Sequence, residues 1–372
     1  MKILLVARWP VGGIKTYFRY IYGSPAFSDC EFTLLAPNSG LDELVNHDLP
    51  SGRIKLIDAP TSFLAFLKCF RMCVKNNDFD IIHSHGFSAS FFTQLSLGAI
   101  KKPHLMTAHD VFLPNTFSGF KGWIKRQLMS WVLKKVTKVL SVSEDARNNI
   151  YEYFPSLPSG QVINITNGVD TAFFATGVAR DLRKELNCAP NRPLIGFFGR
   201  FMAQKGFRQI IEAIEILSKS TRVETMPLIV TFGWGGFIRE DFELIEKKGL
   251  SDYFVQLPGT NNMPAAIKAV DLVLMPSRWE ACPLLPMEVL SAGTPIIGTN
   301  CIGLREVLQG TPATVVPVND ALGLADAIVQ SLSSGDKQFI EYQDIAVKRF
   351  SAVKHAQELH ALYVDLLKTS IS

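Results

Sequence analysis

Two glutamates, Glu280 and Glu288, lie within the apolar, proline-interrupted stretch SRWEACPLLPMEVLSAGTP at residues 277–295. Carboxylates are rarely placed in apolar surroundings without a partner. The run DLVLMPS predicts a buried strand before Glu280, and LPMEVLSAG predicts a helix that carries Glu288 early and ends at Gly293. The two acids could accept hydrogen bonds from polyol hydroxyls, one from a sugar ring and one from a ribose. Alternatively, Glu280 caps the turn and Glu288 pairs with a surface lysine.

Two cations, Arg200 and Lys205, occupy a loop in IGFFGRFMAQKGFRQIIEAI, where the pattern predicts that a buried strand passes into a helix. Gly199 and Gly206 permit tight backbone paths in this loop. Arginine offers a planar fork of donors and lysine a movable point charge, so the pair could bind a diphosphate. On local pattern alone, two solvated loop cations are an equal alternative. The loop has neither a Walker sequence nor the GxGxxG fingerprint, so no ATP or NAD site is predicted.

The opening loop ARWPVGGIKTYFRYIY places Gly12 and Gly13 between the first predicted strand and a helix. Paired glycines let main-chain N–H groups approach a ligand closely, beside the positive end of the helix. The helix start near residues 283–285 offers free N–H groups of the same kind, which would meet phosphates. A plain strand-to-helix turn at Gly12 would have the same pattern.

These loops are connected by two series of short apolar runs. The first half contains KILLVA, FTLLAP, DIIHSHG, HLMTAHD, KVLSVS and QVINITNG, and the second half contains LIGFFGR, LIVTFG, YFVQLPG, LVLMPS, PIIGTN and ATVVPV. Continuous apolar runs that alternate with helical segments predict parallel strands buried on both faces. We therefore predict an α/β protein with two doubly wound, Rossmann-like domains facing a cleft, where such sheets bind ligands.

The predicted domains are residues 1–168 and 169–350, followed by an amphipathic C-terminal helix at residues 351–372. The connection NGVDTAFFATGVARDLRKELNCAPNRP is rich in turn-forming residues, which puts the boundary near residues 167–192.

The composition is that of a globular protein, since 47% of the 372 residues are hydrophobic and 19% are charged. A net charge of +4 is too small to indicate nucleic-acid binding. The first apolar run is short, and no segment reaches about 18 uninterrupted apolar residues, so we expect a cytoplasmic protein. There the six cysteines are most simply reduced thiols, including Cys69 and Cys73 on one helix face.

Taken in order, the glycine pair at 12 and 13, DIIHSHG, TAHD, VSEDAR, TNGVD, GRFMAQKG, PSRWEACPLLPMEVLSAGTPIIGT and GLREVL resemble the pattern of the retaining GT-B glycosyltransferases of family 4. These enzymes move a sugar from a nucleotide donor to an acceptor. The resemblance implies an N-terminal acceptor domain, a C-terminal donor domain and a last helix that crosses back to the first domain. It also implies a UDP- or GDP-sugar as co-substrate, no other cofactor and no metal. The acceptor would be a glycan or a lipid-linked molecule of cell-surface polysaccharide or lipopolysaccharide synthesis.

The resemblance also implies roles for individual residues. Arg200 and Lys205 would hold the donor diphosphate and stabilise the charge that develops on the leaving nucleotide. Glu280 would contact the donor sugar and Glu288 the ribose. The remaining implied contacts are His109 for the donor sugar, Gly12, Gly13, Gly199, Leu284 and Leu285 for the rest of the donor, and Asp110 on the acceptor side. The leaving phosphate could itself take the acceptor's proton, so no general base is assigned, and a turn or capping role is equally suited to Asp110.

Two further patterns suggest metal sites but favour structural roles. Asp78-Phe79-Asp80 is the DxD sequence of metal-dependent transferases of another fold, yet here it precedes a strand, so a polar turn is predicted. His83 and His85 point the same way from a strand, but no third ligand is offered nearby in the sequence.

Residues 101–140 hold eight basic residues against the single acid Asp110. Within FSGFKGWIKRQLMSWVLKKVTKVL the cations are interleaved with aromatic and aliphatic residues. This pattern is typical of a packed helix with solvated lysines, or of a helix that rests on anionic lipid. We therefore consider a peripheral contact of residues 117–140 with the inner face of the cell membrane as a hypothesis.

Three other functions fit parts of the pattern. A nucleotide-sugar epimerase or hydrolase could use the same two-domain scaffold, and product analysis with and without acceptor would distinguish it. A bilobal solute-binding protein also has two α/β lobes, but it would require export. A non-catalytic nucleotide-sugar-binding subunit would tolerate Lys205→Ala without a change in turnover.

Overall fold

The structure is a computed structural model that describes residues 1–10, 12–98 and 100–371. The chain divides into two units, one formed by residues 1–169 with the segment from Ala352 onward, and the other by residues 170–351. Ser372, the last residue of the predicted C-terminal helix, lies outside the described residues.

The first unit contains one sheet and the helices that cover it. Its strands are β1 (Lys2–Ala7), β2 (Glu31–Ala36), β3 (Ile54–Asp58), β4 (Ile81–His85), β5 (His104–Ala108), β6 (Lys138–Ser141) and β7 (Val162–Asn164). Its first helices are α1 (Gly13–Tyr22), α2 (Leu41–Glu43), α3 (Phe63–Asn76), α4 (Phe87–Leu97), α5 (Gly119–Lys135) and α6 (Glu144–Tyr153). All strand pairs are parallel, in the order β3-β2-β1-β4-β5-β6-β7.

Strand β1 shows why these strands are continuously apolar. Ile3 and Leu5 face one hydrophobic core, together with residues of α1. Leu4 and Val6 face the other core, with Phe66 of α3. Successive side chains of a strand point to opposite faces, so a strand covered on both faces needs apolar residues at every position. The strand order reverses between β1 and β4, and α/β sheets bind ligands at such a point.

The second unit repeats this arrangement. Its strands are β8 (Leu194–Phe197), β9 (Leu228–Phe232), β10 (Phe254–Leu257), β11 (Leu272–Met275), β12 (Ile296–Thr299) and β13 (Thr314–Val316). Its helices are α7 (Thr171–Thr176), α8 (Leu182–Glu185), α9 (Phe207–Ser218), α10 (Ile238–Lys247), α11 (Met263–Ile267), α12 (Leu285–Ser291), α13 (Leu304–Leu308), α14 (Ala321–Ser334) and α15 (Lys337–Arg349). The strands are parallel in the order β10-β9-β8-β11-β12-β13, which reverses between β8 and β11. The predicted doubly wound α/β fold is confirmed.

The last helix, α16 (Ala352–Ile371), belongs to the first unit. It begins where the N–H of Ala352 donates to the carbonyl of Val169 at 2.9 Å. Leu359 and Tyr363 are fully buried in the core that includes Ile3 and α1. The predicted return of the C-terminal helix to the first domain is therefore confirmed. Within the described ranges, no helix is both long enough and apolar enough to cross a membrane.

Candidate functional site

An ion pair between Lys205 and Glu280 forms the centre of the candidate site in the second unit. The Nζ atom of Lys205 lies 2.6 Å from Oε1 of Glu280, and the two side chains are only 22% and 8% exposed. The hydroxyl of Ser277 donates to the same carboxylate oxygen at 2.7 Å. The side-chain amide of Gln204 approaches the other oxygen at 3.5 Å. A carboxylate this deeply buried requires such donors, because desolvation would otherwise oppose its charge.

The loop after β8 lies directly against the loop after β11, which brings these residues together although they are 75 positions apart. Gly206 has a φ of +68°, and a Cβ there would lie 1.9 Å from the carbonyl oxygen of Pro276. Only glycine permits this approach. The contact is reinforced by Gln204, whose carbonyl accepts from the N–H of Arg278 at 2.8 Å. Lys205 therefore meets Glu280 at the point where the strand order reverses.

The connection between β12 and α13 packs against the backbone of Glu280. The N–H of Glu280 donates to the carbonyl of Ile302 at 3.1 Å. Gly303 has a φ of +76°, and a Cβ there would lie 2.4 Å from the carbonyl oxygen of Glu280. The hydroxyl of Thr299 donates to the carbonyl of Ser277. These contacts hold the backbone of the acid in a single position.

The other predicted donor residues of this unit lie at α12 and in the loop after β8. Glu288 is buried on α12, and Leu284 and Leu285 are half-buried at the start of that helix. Gly199 packs closely against the loop after β9. A Cβ on Gly233 of that loop would lie 1.9 Å from the carbonyl oxygen of Gly199. Arg200 is half-buried, and among the described residues its guanidinium makes no hydrogen bond or ion pair.

The predicted residues of the first unit follow the ends of β1 and β5. Gly12 has a φ of +58° and precedes α1, whose first residue is Gly13. Among the described residues, a Cβ on either glycine would meet no atom within 4 Å, so space is open beside this helix start. Asp110 is exposed and follows His109, which is half-buried just past the end of β5.

His109 is held by two neighbouring rings. Its Nε2 atom lies 3.1 Å from Nδ1 of His85, and the two ring planes are inclined by only 20°, with centroids 5.4 Å apart. The ring of Tyr17 packs edge-on at 5.2 Å. Burial lowers the pKa of His109 to about 3, so the imidazole is neutral at physiological pH.

The two motifs that suggested metal sites have protein partners. Asp80 accepts from the N–H of Lys2 at 2.8 Å, and Asp78 pairs with Lys102 at 2.9 Å, as expected of a polar turn. His83 lies inside the first unit, with its two ring nitrogens within 2.7 Å of the hydroxyls of Thr107 and Tyr363.

Comparison with known families then decides the class of this protein. Residues 192–334 match the family described as Glycosyl transferases group 1, and residues 11–173 match the family described as Glycosyltransferase Family 4. The chain belongs to the family 4 glycosyltransferases of the GT-B fold. The expected family and fold are thereby confirmed.

Individual relatives of this glycosyltransferase are distant but similar over most of their length. It is 26% identical to an uncharacterized 41.2 kDa protein in the cps region of Klebsiella pneumoniae, over 99% of this chain and all of the relative. It is 22% identical to the UDP-Gal:alpha-D-GlcNAc-diphosphoundecaprenol alpha-1,3-galactosyltransferase of Escherichia coli, over 84% of this chain and 81% of the relative. Anabaena HepE, solved in complex with UDP-glucose, has a TM-score of 0.84 at 18% identity and covers 98% of this chain and 100% of its own.

The two units of the glycosyltransferase offer different chemical capacities. Lys205 supplies a cation that, among the described residues, uses one N–H donor on Glu280, so its other two can bind an anion. Glu280 supplies buried carboxylate oxygens that can accept from hydroxyls. His109 supplies a neutral imidazole with Nε2 already engaged by His85.

Sequence reasoning missed the residues that support Glu280. Ser277, Gln204 and Gly303 all lie in quoted stretches of the glycosyltransferase, but no role was predicted for them. Ser277 could have been predicted as a site residue, because it directly follows the apolar strand and the proline in LVLMPS. A glycine before a short helical run was a weaker signal for Gly303, because its close contact is with a segment more than 20 positions away.

Proposed function

We propose that the protein transfers a sugar from a nucleotide-sugar, and that the donor binds around the Lys205–Glu280 pair. The observation that carries this proposal is a buried, fully supported ion pair at the reversal point of the second sheet. Ligands of doubly wound sheets bind at such points. The complex of HepE with UDP-glucose and the UDP-Gal specificity in the name of the Escherichia coli relative support a UDP-sugar as donor.

Each predicted residue then has a role in binding the donor. Arg200 and Lys205 bind the diphosphate, and Glu280 accepts from a hydroxyl of the sugar. Glu288 binds the ribose, and His109 contacts the sugar. The other donor contacts are made by Gly12, Gly13, Gly199, Leu284 and Leu285. The two cations provide the charge that a metal supplies in other transferases, so we propose that no metal or other cofactor is required.

The reaction needs few groups from the protein. The bond between the anomeric carbon and the diphosphate oxygen breaks, and a bond to the acceptor's hydroxyl oxygen forms on the same face of the sugar. The hydroxyl proton passes to the departing phosphate oxygen, so the nucleoside diphosphate leaves and the anomeric configuration is retained. Lys205 and Arg200 stabilise the negative charge that builds on that phosphate in the transition state.

A thermal-shift panel of UDP-, GDP- and ADP-sugars tests donor binding. A donor at 100 times its dissociation constant adds about 2.7 kcal/mol to the stability of the folded state. Lys205→Ala should abolish that shift, and it should lower turnover at least about 100-fold. Lys219→Ala is the matched control, because Lys219 is exposed just after α9 and, in the part of the chain that the structure describes, its ion pair is with Glu215. If no nucleotide-sugar stabilises the protein, or if both variants behave alike, the proposed donor site is wrong.

Product analysis separates transfer from the alternative reactions. Release of free sugar without acceptor would indicate a hydrolase, and recovery of an isomeric nucleotide-sugar would indicate an epimerase. A donor that binds but is never consumed would indicate a non-catalytic subunit.

Helix α5 has an exposed apolar surface that is suited to a membrane, where a lipid-linked acceptor would be located. Large apolar residues occur on it at helical spacing and are exposed, namely Phe120 (76%), Trp123 (56%), Ile124 (39%), Leu128 (45%) and Trp131 (37%). Exposed cations flank this stripe at Lys121, Lys125, Arg126, Lys134 and Lys135. An apolar stripe between cations favours a helix that lies in the headgroup region of an anionic membrane.

We therefore propose that α5 binds the inner face of the cell membrane and that the acceptor is a lipid-linked glycan of cell-surface polysaccharide synthesis. The diphosphoundecaprenol in the name of the Escherichia coli relative supports this acceptor class. The double variant Phe120→Ser/Trp123→Ser should lose flotation with phosphatidylglycerol vesicles at low salt. Ile345→Ser, at a similarly exposed position on α15, should float like the wild type. Wild-type protein that fails to float would refute the membrane contact.

A further inference from the structure

Behind His109, buried side chains form a chain of hydrogen bonds that leads into the first unit. Nε2 of His109 lies 3.1 Å from Nδ1 of His85, and Nε2 of His85 lies 2.9 Å from the hydroxyl of Tyr22. His85 is 3% exposed and Tyr22 is fully buried. Among the described residues, the other nitrogen of His109, Nδ1, has no hydrogen-bond partner. Nδ1 is therefore the ring nitrogen of His109 that can form a hydrogen bond with a ligand.

The direction of each hydrogen bond follows from the single proton that a neutral imidazole carries. His355 provides an internal reference, because its Nδ1 lies 2.8 Å from the carbonyl oxygen of Thr166, which can only accept. The proton of His355 must therefore be on Nδ1, and Nε2 accepts from the hydroxyl of Tyr17 at 2.8 Å. A phenol is a more acidic donor than a neutral imidazole, so this direction is also the stronger one.

Tyr22 has one proton and two histidines within reach. Its hydroxyl lies 3.3 Å from Nδ1 of His83 but 2.9 Å from Nε2 of His85. The hydroxyl of Tyr363 lies only 2.6 Å from the same Nδ1 atom, and as the more acidic donor this phenol gives its proton to His83. The proton of Tyr22 is consequently donated to His85, which must then carry its own proton on Nδ1. That N–H donates to Nε2 of His109 and leaves the proton of His109 on Nδ1.

We propose that His85 and Tyr22 are positioning residues that hold neutral His109 as the Nδ1–H tautomer, so that it presents an N–H donor to an oxygen of the bound substrate. The identity of that substrate, the donor sugar, rests on the proposed function. The hydrogen bond to His85 and the edge-on contact with Tyr17 fix the plane of the ring. Burial lowers the pKa of both His85 and His109, which keeps the chain neutral.

The tautomer is measured directly by ¹⁵N–¹H correlation spectra of the full chain labelled at histidine nitrogens. The His109→Gln variant assigns the resonance. In the wild type, the proton of His109 should be on Nδ1. Tyr22→Phe removes the donor to His85 and should shift a large share of His109 to the Nε2–H form. Ser84→Ala is the matched control, since it removes an equally buried hydroxyl bonded to a different histidine, His104, and should leave His109 unchanged.

Turnover with the donor found by thermal shift then tests the positioning role. Tyr22→Phe should lower kcat about tenfold relative to Ser84→Ala, with little change in KM. A wild-type proton on Nε2, or equal spectra for the two variants, would overturn the inference without touching the donor site. Equal kcat in the two variants would overturn the positioning role alone. Failure of every donor to bind would instead refute the proposed function, while the spectra would still decide the tautomer.

Discussion

Mild acid should destabilise the first unit of this protein far more than the second. All seven histidines lie in the first unit, and residues 170–351 contain none. Burial lowers the pKa of five of them from the ordinary value of 6.5: to about 3 for His104 and His109, to about 4 for His355, and well below it for His83 and His85. The folded unit therefore contains five imidazoles that resist protonation.

The sign and size of the effect follow from proton linkage. Below pH 6.5 the unfolded chain binds protons that the folded unit does not, so stability is complete above this pH and falls as the pH drops towards 4 and 3. At pH 5.5 each such histidine costs about 1.4 kcal/mol, and the three with stated values together cost about 4 kcal/mol. This is a large fraction of a typical domain stability of about 5–15 kcal/mol. Most carboxylates titrate at lower pH, so the window from 7.5 to 5.5 isolates the histidines.

The assay is urea unfolding at pH 7.5, 6.5 and 5.5, followed by peptide-resolved hydrogen exchange corrected for the intrinsic rate at each pH. Peptides of β4 and β5 should lose at least about 4 kcal/mol of protection over this range, while peptides of β8 and β11 should stay nearly constant. His104→Gln should reduce the loss by about 1.4 kcal/mol, because one proton fewer is taken up on unfolding. Equal pH dependence of the two units, or no loss in the first, would refute the reasoning.

Three further predictions concern packing and the ion pair. Glu280→Gln should leave the ammonium of Lys205 without its anion and destabilise the second unit by about 1–3 kcal/mol in urea unfolding; an unchanged midpoint would contradict this. Gly206→Ala should lower the free energy of unfolding by about 2–4 kcal/mol and weaken donor binding, because the new Cβ would clash with a carbonyl oxygen. Gly249→Ala is the control, since Gly249 has a similar φ but open space around it. It should lower the free energy of unfolding by about 1 kcal/mol and leave donor binding intact. Leu359→Ala on α16 should destabilise the first unit by about 2–5 kcal/mol in hydrogen exchange, and equal loss of protection in both units would argue against its place in the first core.

The fold could be predicted because its signals are local. Each strand is covered on both faces, so it appears in the sequence as a continuous apolar run, as KILLVA does for β1. Helices between such runs lead to parallel pairing and to the reversal of strand order, whatever the individual side chains. Even the destination of α16 followed from the family that the motifs resemble.

The candidate site was predicted in part. The sequence predicted that Lys205 and Glu280 would contact the same ligand. In the structure the two side chains also contact each other, as an ion pair with a distance of 2.6 Å. Arg200, predicted with them, makes no such contact in the described chain. The direct pairing depends on the close packing of Gly206 on Pro276, and no local pattern encodes which carbonyl a glycine will face.

By itself, the sequence determined two doubly wound sheets, the loops that could carry chemistry and the family to which they belong, because strand burial and loop composition are written in neighbouring residues. The tertiary structure alone decided which side chains form hydrogen bonds and ion pairs with one another. Ser277 supports Glu280 through a bond within one loop, but Tyr22, His85 and His109 come from three separate elements of the first unit. Hydrogen bonds between such distant segments depend on distances of a few tenths of an ångström, which only the packed core sets.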